Sequence, residues 1–156
     1  MANSVCEIVL TEEPLEKPMR KFGPWTSLKR SANAGAVIDF WGVVRGSEDG
    51  REIHGIEYET HWEMAEHQLK RIAQQASEDF ALQSVVIHHR VGLIPVGEPS
   101  LFVRIAGRHR AEAFEASQWV VEQLKRKVPI WKRPAFVPQS QDYGVAGPPS
   151  QEALRI

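Results

Sequence analysis

The ten residues Leu124-Lys125-Arg126-Lys127-Val128-Pro129-Ile130-Trp131-Lys132-Arg133 hold five cations, while the chain as a whole carries a formal net charge of −1. The charge is local and needs a local reason. Pro129 cannot continue a helix and pushes the residue before it out of the helical region, so Val128 closes a helix and Ile130-Trp131-Lys132 leaves it extended. Lys125 and Lys132 then stand either side of a bend, where two ammonium groups from different backbone directions can converge on a phosphate or another anion. Cations that merely complement a helix C-terminus would explain Lys125, Arg126 and Lys127. They leave Ile130-Trp131, embedded between the two cationic groups, unexplained.

Two further places offer anion chemistry. Gly107-Arg108-His109-Arg110 precedes a second long periodic segment, so backbone N–H groups of a helix N-terminus would join three cationic or titratable side chains. Arg45 closes an apolar strand just before Gly46-Ser47-Glu48-Asp49-Gly50, which reads as a loop, and an arginine at such a mouth can clamp an anion or simply lie in solvent. Arg110 and Lys125 are fifteen helical steps apart, or roughly 22 Å. One small pocket in one chain cannot hold both ends of that helix. Either there are two sites, or a dimer brings the start of one helix to the end of its partner's.

Other chemistries find no support in the pattern. The six histidines, His54, His61, His67, His88, His89 and His109, have no HxxxH or HExxH spacing, and adjacent His88 and His89 point to opposite faces of a strand, so no metal site is expected. No Walker loop or Gly-x-Ser-x-Gly elbow is present. Cys6 is the single cysteine, which excludes an internal disulfide or redox pair, and with no sequence-adjacent cation it reads as a small strand or core residue. If this chain handles sulfur, the sulfur arrives on something else.

The elements that must position these residues follow from periodicity. Ser4–Thr11 reads as a strand. A proline-punctuated connection, Pro14 to Pro24, leads to a short helix over Trp25–Ala32. Ala36–Arg45, apolar on both faces, is the strongest strand and is expected at the centre of a sheet, with Gly42 marking a bulge or a place where something approaches the backbone closely. Glu52–Glu59 alternates as the next strand. Glu63–Phe80 is helical, with Ala65, Leu69, Ile72, Ala76 and Phe80 on one face. Val85–Ile87 and Ser100–Ile105 are strands separated by turn chemistry from Gly92 to Pro99. Arg110–Val128 is the second long helix, with Ala113, Ser117, Val121, Leu124 and Val128 in one stripe. The order gives an α+β fold, mixed or antiparallel pairing around two long amphipathic helices.

At 156 residues, 42% hydrophobic and 25% charged, the chain has the size and composition of one globular domain. A domain over residues 1–133 is expected, followed by a Pro/Gly-rich tail over 134–156. Near-neutral charge argues against binding nucleic acid over the whole surface. There is no long apolar run and no signal-peptide pattern, so a cytoplasmic protein without membrane contact is expected.

Phe40-Trp41-Gly42-Val43-Val44-Arg45, Tyr58-Glu59 with Met64-Ala65, His89-Arg90-Val91-Gly92, Gly97-Glu98, His109-Arg110 with Ala113-Phe114-Glu115-Ala116, and Leu124-Lys125 with Pro129-Ile130-Trp131-Lys132 resemble, in order, the large catalytic subunit family of molybdopterin synthase. The likeness covers roughly Ala34 to Arg133. It implies an α/β hammerhead fold and a homodimer of large subunits inside a heterotetramer, each end holding a small ubiquitin-like sulfur-carrier subunit. The implied reaction moves two sulfurs from the carrier's thiocarboxylated Gly-Gly terminus to cyclic pyranopterin monophosphate, giving molybdopterin. No cofactor, metal or nucleic acid is implied.

Position by position, the resemblance makes Val43, Val44, Arg45, His109, Arg110, Lys125, Lys132 and Arg133 substrate-binding residues, with His109 and Arg110 reaching across the dimer. Lys125 and Lys132 are the expected catalytic pair. Lys125 would act beside the thiocarboxylate carbonyl as general acid/base and charge stabiliser, and Lys132 would stabilise negative charge during acyl transfer. The chain departs from the family in two places. A glutamate usual soon after Trp-Lys is absent from Lys132-Arg133-Pro134, and a tryptophan usual further on is replaced by Tyr143. Those departures keep open a non-catalytic homologue, and the basic Lys125–Arg133 patch with Trp131 as a stacking platform keeps open a nucleotide- or RNA-binding module.

Overall fold

A computed structural model of the chain describes residues 4–15, 33–139 and 154–156, the backbone alone at 154 and 155. The helix expected over Trp25–Ala32 and most of the expected tail lie outside the described residues. Nine strands are described: β1 (Val5–Thr11), β2 (Ala36–Val43), β3 (Ser47–Glu48), β4 (Arg51–Thr60), β5 (Ser84–Arg90), β6 (Gly92–Pro95), β7 (Pro99–Gly107), β8 (Ile130–Phe136) and β9 (Leu154–Arg155). Two helices join them, α1 (Trp62–Asp79) and α2 (Arg110–Lys127).

The strands form two sheets. The first, in order β1-β5-β7-β2, is mixed: β1 and β5 run parallel, and β7 is antiparallel to both β5 and β2. The second is antiparallel, with β4 carrying β8 on one side and β6 and the short β3 on the other, and β9 beyond β8. The α+β class with two long amphipathic helices is the one expected.

Each helix buries most of the stripe its periodicity marks, with Phe80 and Val121 only partly buried. Ala65, Leu69, Ile72 and Ala76 of α1 and Ala113, Ser117 and Leu124 of α2 are buried, together with Ala73, Ala116 and Val120. They close over Val85, Ile87, Val103 and Ile105 of the first sheet, each fully buried side chain contributing about 1.5–3 kcal/mol. Phe80 and Trp119 meet edge to face where the helices touch, with ring centroids 5.9 Å apart. His61 caps α1 by accepting from the Met64 N–H through Nδ1, and at the head of α2 the Glu112 carboxylate accepts from the His109 N–H at 2.9 Å.

Three expectations are corrected. β2 is not central: it is the edge of the first sheet among the described residues, and β7 lies inside. Along the sheet Trp41 packs on Phe102 and Phe102 on His88. Gly46–Gly50 is not a plain loop but holds β3 and the turn of a two-residue hairpin, with Asp49 and Gly50 both at positive φ. The turn region after β5 contains β6, which pairs with β4 from Gly55 to Tyr58. Gly55 permits that pairing, since a Cβ there would sit 2.5 Å from the Ile94 carbonyl oxygen. The bulge expected at Gly42 is present, as a register shift between Gly42 and Val43.

Candidate active site

Where α2 ends, the two sheets face each other across a pocket of about 400 Å³. Val128 is extended after the last turn of α2, and Pro129 turns the chain into β8. Lys125 therefore reaches the pocket from the helix and Lys132 from the strand, two directions meeting as the sequence implies. Val43, Val44 and Arg45 enter from the end of β2, Tyr58 and Ile56 from β4, Leu101 from β7 and His89 from β5. Ile156 also lines it, its N–H donating to the Ile130 carbonyl.

One carboxylate organises the cations. Glu48, its side chain only 10% exposed, is ion-paired to the Lys132 ammonium and stands 3.7 Å from the Arg45 guanidinium. Arg45 is tethered loosely, with its side chain 81% exposed. Across the pocket, His89 is buried and its Nδ1 lies 2.7 Å from the Arg90 carbonyl oxygen. Because a carbonyl can only accept, Nδ1 carries the proton of a neutral ring. Burial pushes the His89 pKa down to about 4. A neutral imidazole adds no charge to a site already holding three cations against Glu48.

The other expected residues fall elsewhere. His109 and Arg110 line a second cavity at the opposite end of α2 with Gly35, Arg108 and Ala111. The geometry of the helix demanded that separation. Arg133 follows Lys132 in the strand, so it points to the other face, where it bonds Glu59 at 2.9 Å; it does not line the pocket. The basic patch that an RNA-binding reading requires is thus divided between two faces of β8. Cys6 lies on β1, away from the pocket, and desolvation of its thiol raises its pKa. Among the described residues no group of three or more His, Cys, Asp or Glu side chains is placed to hold a metal. No helix among them is long and apolar enough to cross a membrane.

Glu48, Tyr58 and His89 were not assigned to the site from the sequence. Asp49-Gly50 between short polar pairs is a hairpin signal that could have lifted Glu48 out of a loop. The alternation of β4 puts Ile56 and Tyr58 on one face and so could have found Tyr58. Nothing local in the sequence marks His89 over His88.

Fold and pocket together define an α+β protein with a cation-lined pocket between two sheets. Residues 17–127 match the family model described as MoaE protein. The molybdopterin synthase catalytic subunit of Pyrococcus abyssi is 38% identical over 107 residues, 69% of this chain and 72% of that one. The crystal structure of molybdopterin synthase from Staphylococcus aureus superposes with a TM-score of 0.69 at 28% identity, covering 85% of this chain and 92% of the other. A protein–protein complex of subunits 1 and 2 of molybdopterin-converting factor from Helicobacter pylori shares the fold, with a TM-score of 0.63 at 20% identity over 90% of this chain and 98% of that one. The chain belongs to the MoaE family, the catalytic subunits of molybdopterin synthase, which are sulfur-transfer enzymes of molybdenum cofactor biosynthesis.

Proposed function

We propose that this chain moves two sulfurs from the thiocarboxylated Gly-Gly terminus of a small ubiquitin-like carrier to cyclic pyranopterin monophosphate, forming the molybdopterin dithiolene. The observation that carries the reading is the convergence of Arg45, Lys125 and Lys132 on one pocket from three separate elements. An anionic substrate and an anionic thiocarboxylate both need such a seat. Cys6 lies outside it, which fits a sulfur that comes from a partner. The Helicobacter pylori neighbour was solved as a two-subunit complex, which supports a small-subunit partner here.

In each transfer the thiocarboxylate sulfur bonds to a substrate side-chain carbon as a C–O bond of that carbon breaks: in one transfer the oxygen leaves with the phosphate as the cyclic ester opens, and in the other it leaves as water. Water then breaks the acyl C–S bond, leaving the sulfur on the substrate and a carboxylate on the carrier. Negative charge gathers on the acyl oxygen as water adds. Lys132 stabilises it, and Lys125, in the last turn of α2, moves the proton and shares the charge. Arg45 holds the substrate phosphate. His109 and Arg110 serve the pocket of a second copy in a homodimer, with Arg108 beside them.

The test mixes purified protein, cyclic pyranopterin monophosphate and thiocarboxylated carrier and follows molybdopterin as its fluorescent oxidation product. Wild type should form product and Lys125→Ala should be slower by about 100-fold or more. Lys125 is exposed, so its loss should leave stability within about 0.5 kcal/mol. Wild-type protein that binds carrier yet forms no product would establish the non-catalytic homologue.

A further inference from the structure

Among the described residues Glu48 is the single acidic side chain lining the pocket, and it touches two of the three cations there. Its place is fixed. Asp49 and Gly50, both at positive φ, close a hairpin in which Glu48 pairs with Arg51 across the turn. The Glu48 side chain is therefore carried by a short strand rather than by a loop free to withdraw. Lys132 is a quarter exposed and has a long flexible stem, so an ammonium without a partner would sample many rotamers.

We propose that Glu48 is a positioning residue of the sulfur-transfer reaction, which holds the Lys132 ammonium at the pocket wall and competes with the anionic substrate for Arg45. This rests on the synthase reading of the pocket. Both pairings involve the same carboxylate, but they differ in strength. The Lys132 contact is direct and part-buried, and persists when substrate is bound. The 3.7 Å contact to an exposed Arg45 is the one a phosphate displaces.

The arrangement predicts a crossed kinetic signature. Glu48→Gln keeps the shape of the side chain and removes its charge, leaving three cations uncompensated. An anion should then bind more tightly while Lys132 loses its fixed direction. With thiocarboxylated carrier saturating, Glu48→Gln should lower kcat about tenfold and lower KM for the pterin substrate about threefold. Glu48→Asp, which keeps the charge on a shorter stem, should recover part of kcat and return KM toward wild type. A variant that is merely unstable would lose active protein without lowering KM. Equal kcat in wild type and Glu48→Gln, or a KM that rises, overturns the proposal.

A second measurement needs no turnover. Titration calorimetry of inorganic phosphate into the full-length protein should show Glu48→Gln binding about three- to tenfold more tightly than wild type, an advantage that shrinks in high salt. Equal or weaker binding overturns the competition with Arg45. If wild type makes no molybdopterin but Glu48→Gln still tightens phosphate, the synthase reading fails and the hold of Glu48 on the cations stands.

Discussion

Tyr58 and Lys132 stand opposite each other across the β4–β8 pair, on the face that looks into the pocket, and the next pair along, Glu57 and Arg133, faces away. Two adjacent cations of one basic run thus have unlike duties. Lys132→Ala should reduce product formation by about 100-fold or more. Arg133→Ala should leave kcat and KM within about threefold, and the half-exposed Arg133–Glu59 pair should be worth less than about 1 kcal/mol in urea unfolding. An Arg133→Ala enzyme as slow as Lys132→Ala would refute the division.

In the proposed homodimer, the separation of the two ends of α2 makes each site a matter of two chains. Arg110→Ala and Lys125→Ala should each abolish most activity alone. Mixing the two after unfolding and refolding should restore about a quarter of wild-type activity, because half of randomly paired dimers carry one intact composite pocket of two. No recovery from a mixture shown to contain heterodimers would confine each site to one chain.

His89 ties stability to pH. Its folded pKa of about 4 lies below the usual 6.5 because burial disfavours the charged ring. The unfolded chain therefore binds the extra proton first as pH falls. The stability associated with neutral His89 is fully present above pH 6.5 and is lost as pH drops toward 4, about 3 kcal/mol across that window. Urea midpoints of wild type and His89→Leu between pH 7 and 4.5 should converge, the variant falling less steeply. Parallel curves would show that His89 titrates normally.

How much of this was legible in the sequence depends on the range of the interaction. Lys125 and Lys132 could be placed together because a proline between them bends the chain locally. The two long helices could be read because their apolar faces repeat every turn and are for the most part buried as read. β2 was misplaced because Trp41 and Phe40 look the same in sequence whether a second layer or a neighbouring strand covers them; only the pairing with β7 decides. The ion pair of Glu48 with Lys132 spans 84 positions, and no local pattern encodes a contact of that separation. His89 and His88 differ only in which face of β5 they take, one toward the pocket and the other toward Glu7 at 2.7 Å.

The position of Cys6 on β1 leaves the pocket with no sulfur store of its own. In the proposed reaction each carrier delivers one atom, so a dithiolene consumes two carriers for every molecule made. Between deliveries the spent carrier must leave and a charged one must enter while a half-sulfurated intermediate waits. Processivity then becomes a race between carrier exchange and loss of the intermediate, and the cations that admit the substrate also govern its dwell time. A carrier that binds too tightly would slow such an enzyme as surely as one that binds too weakly.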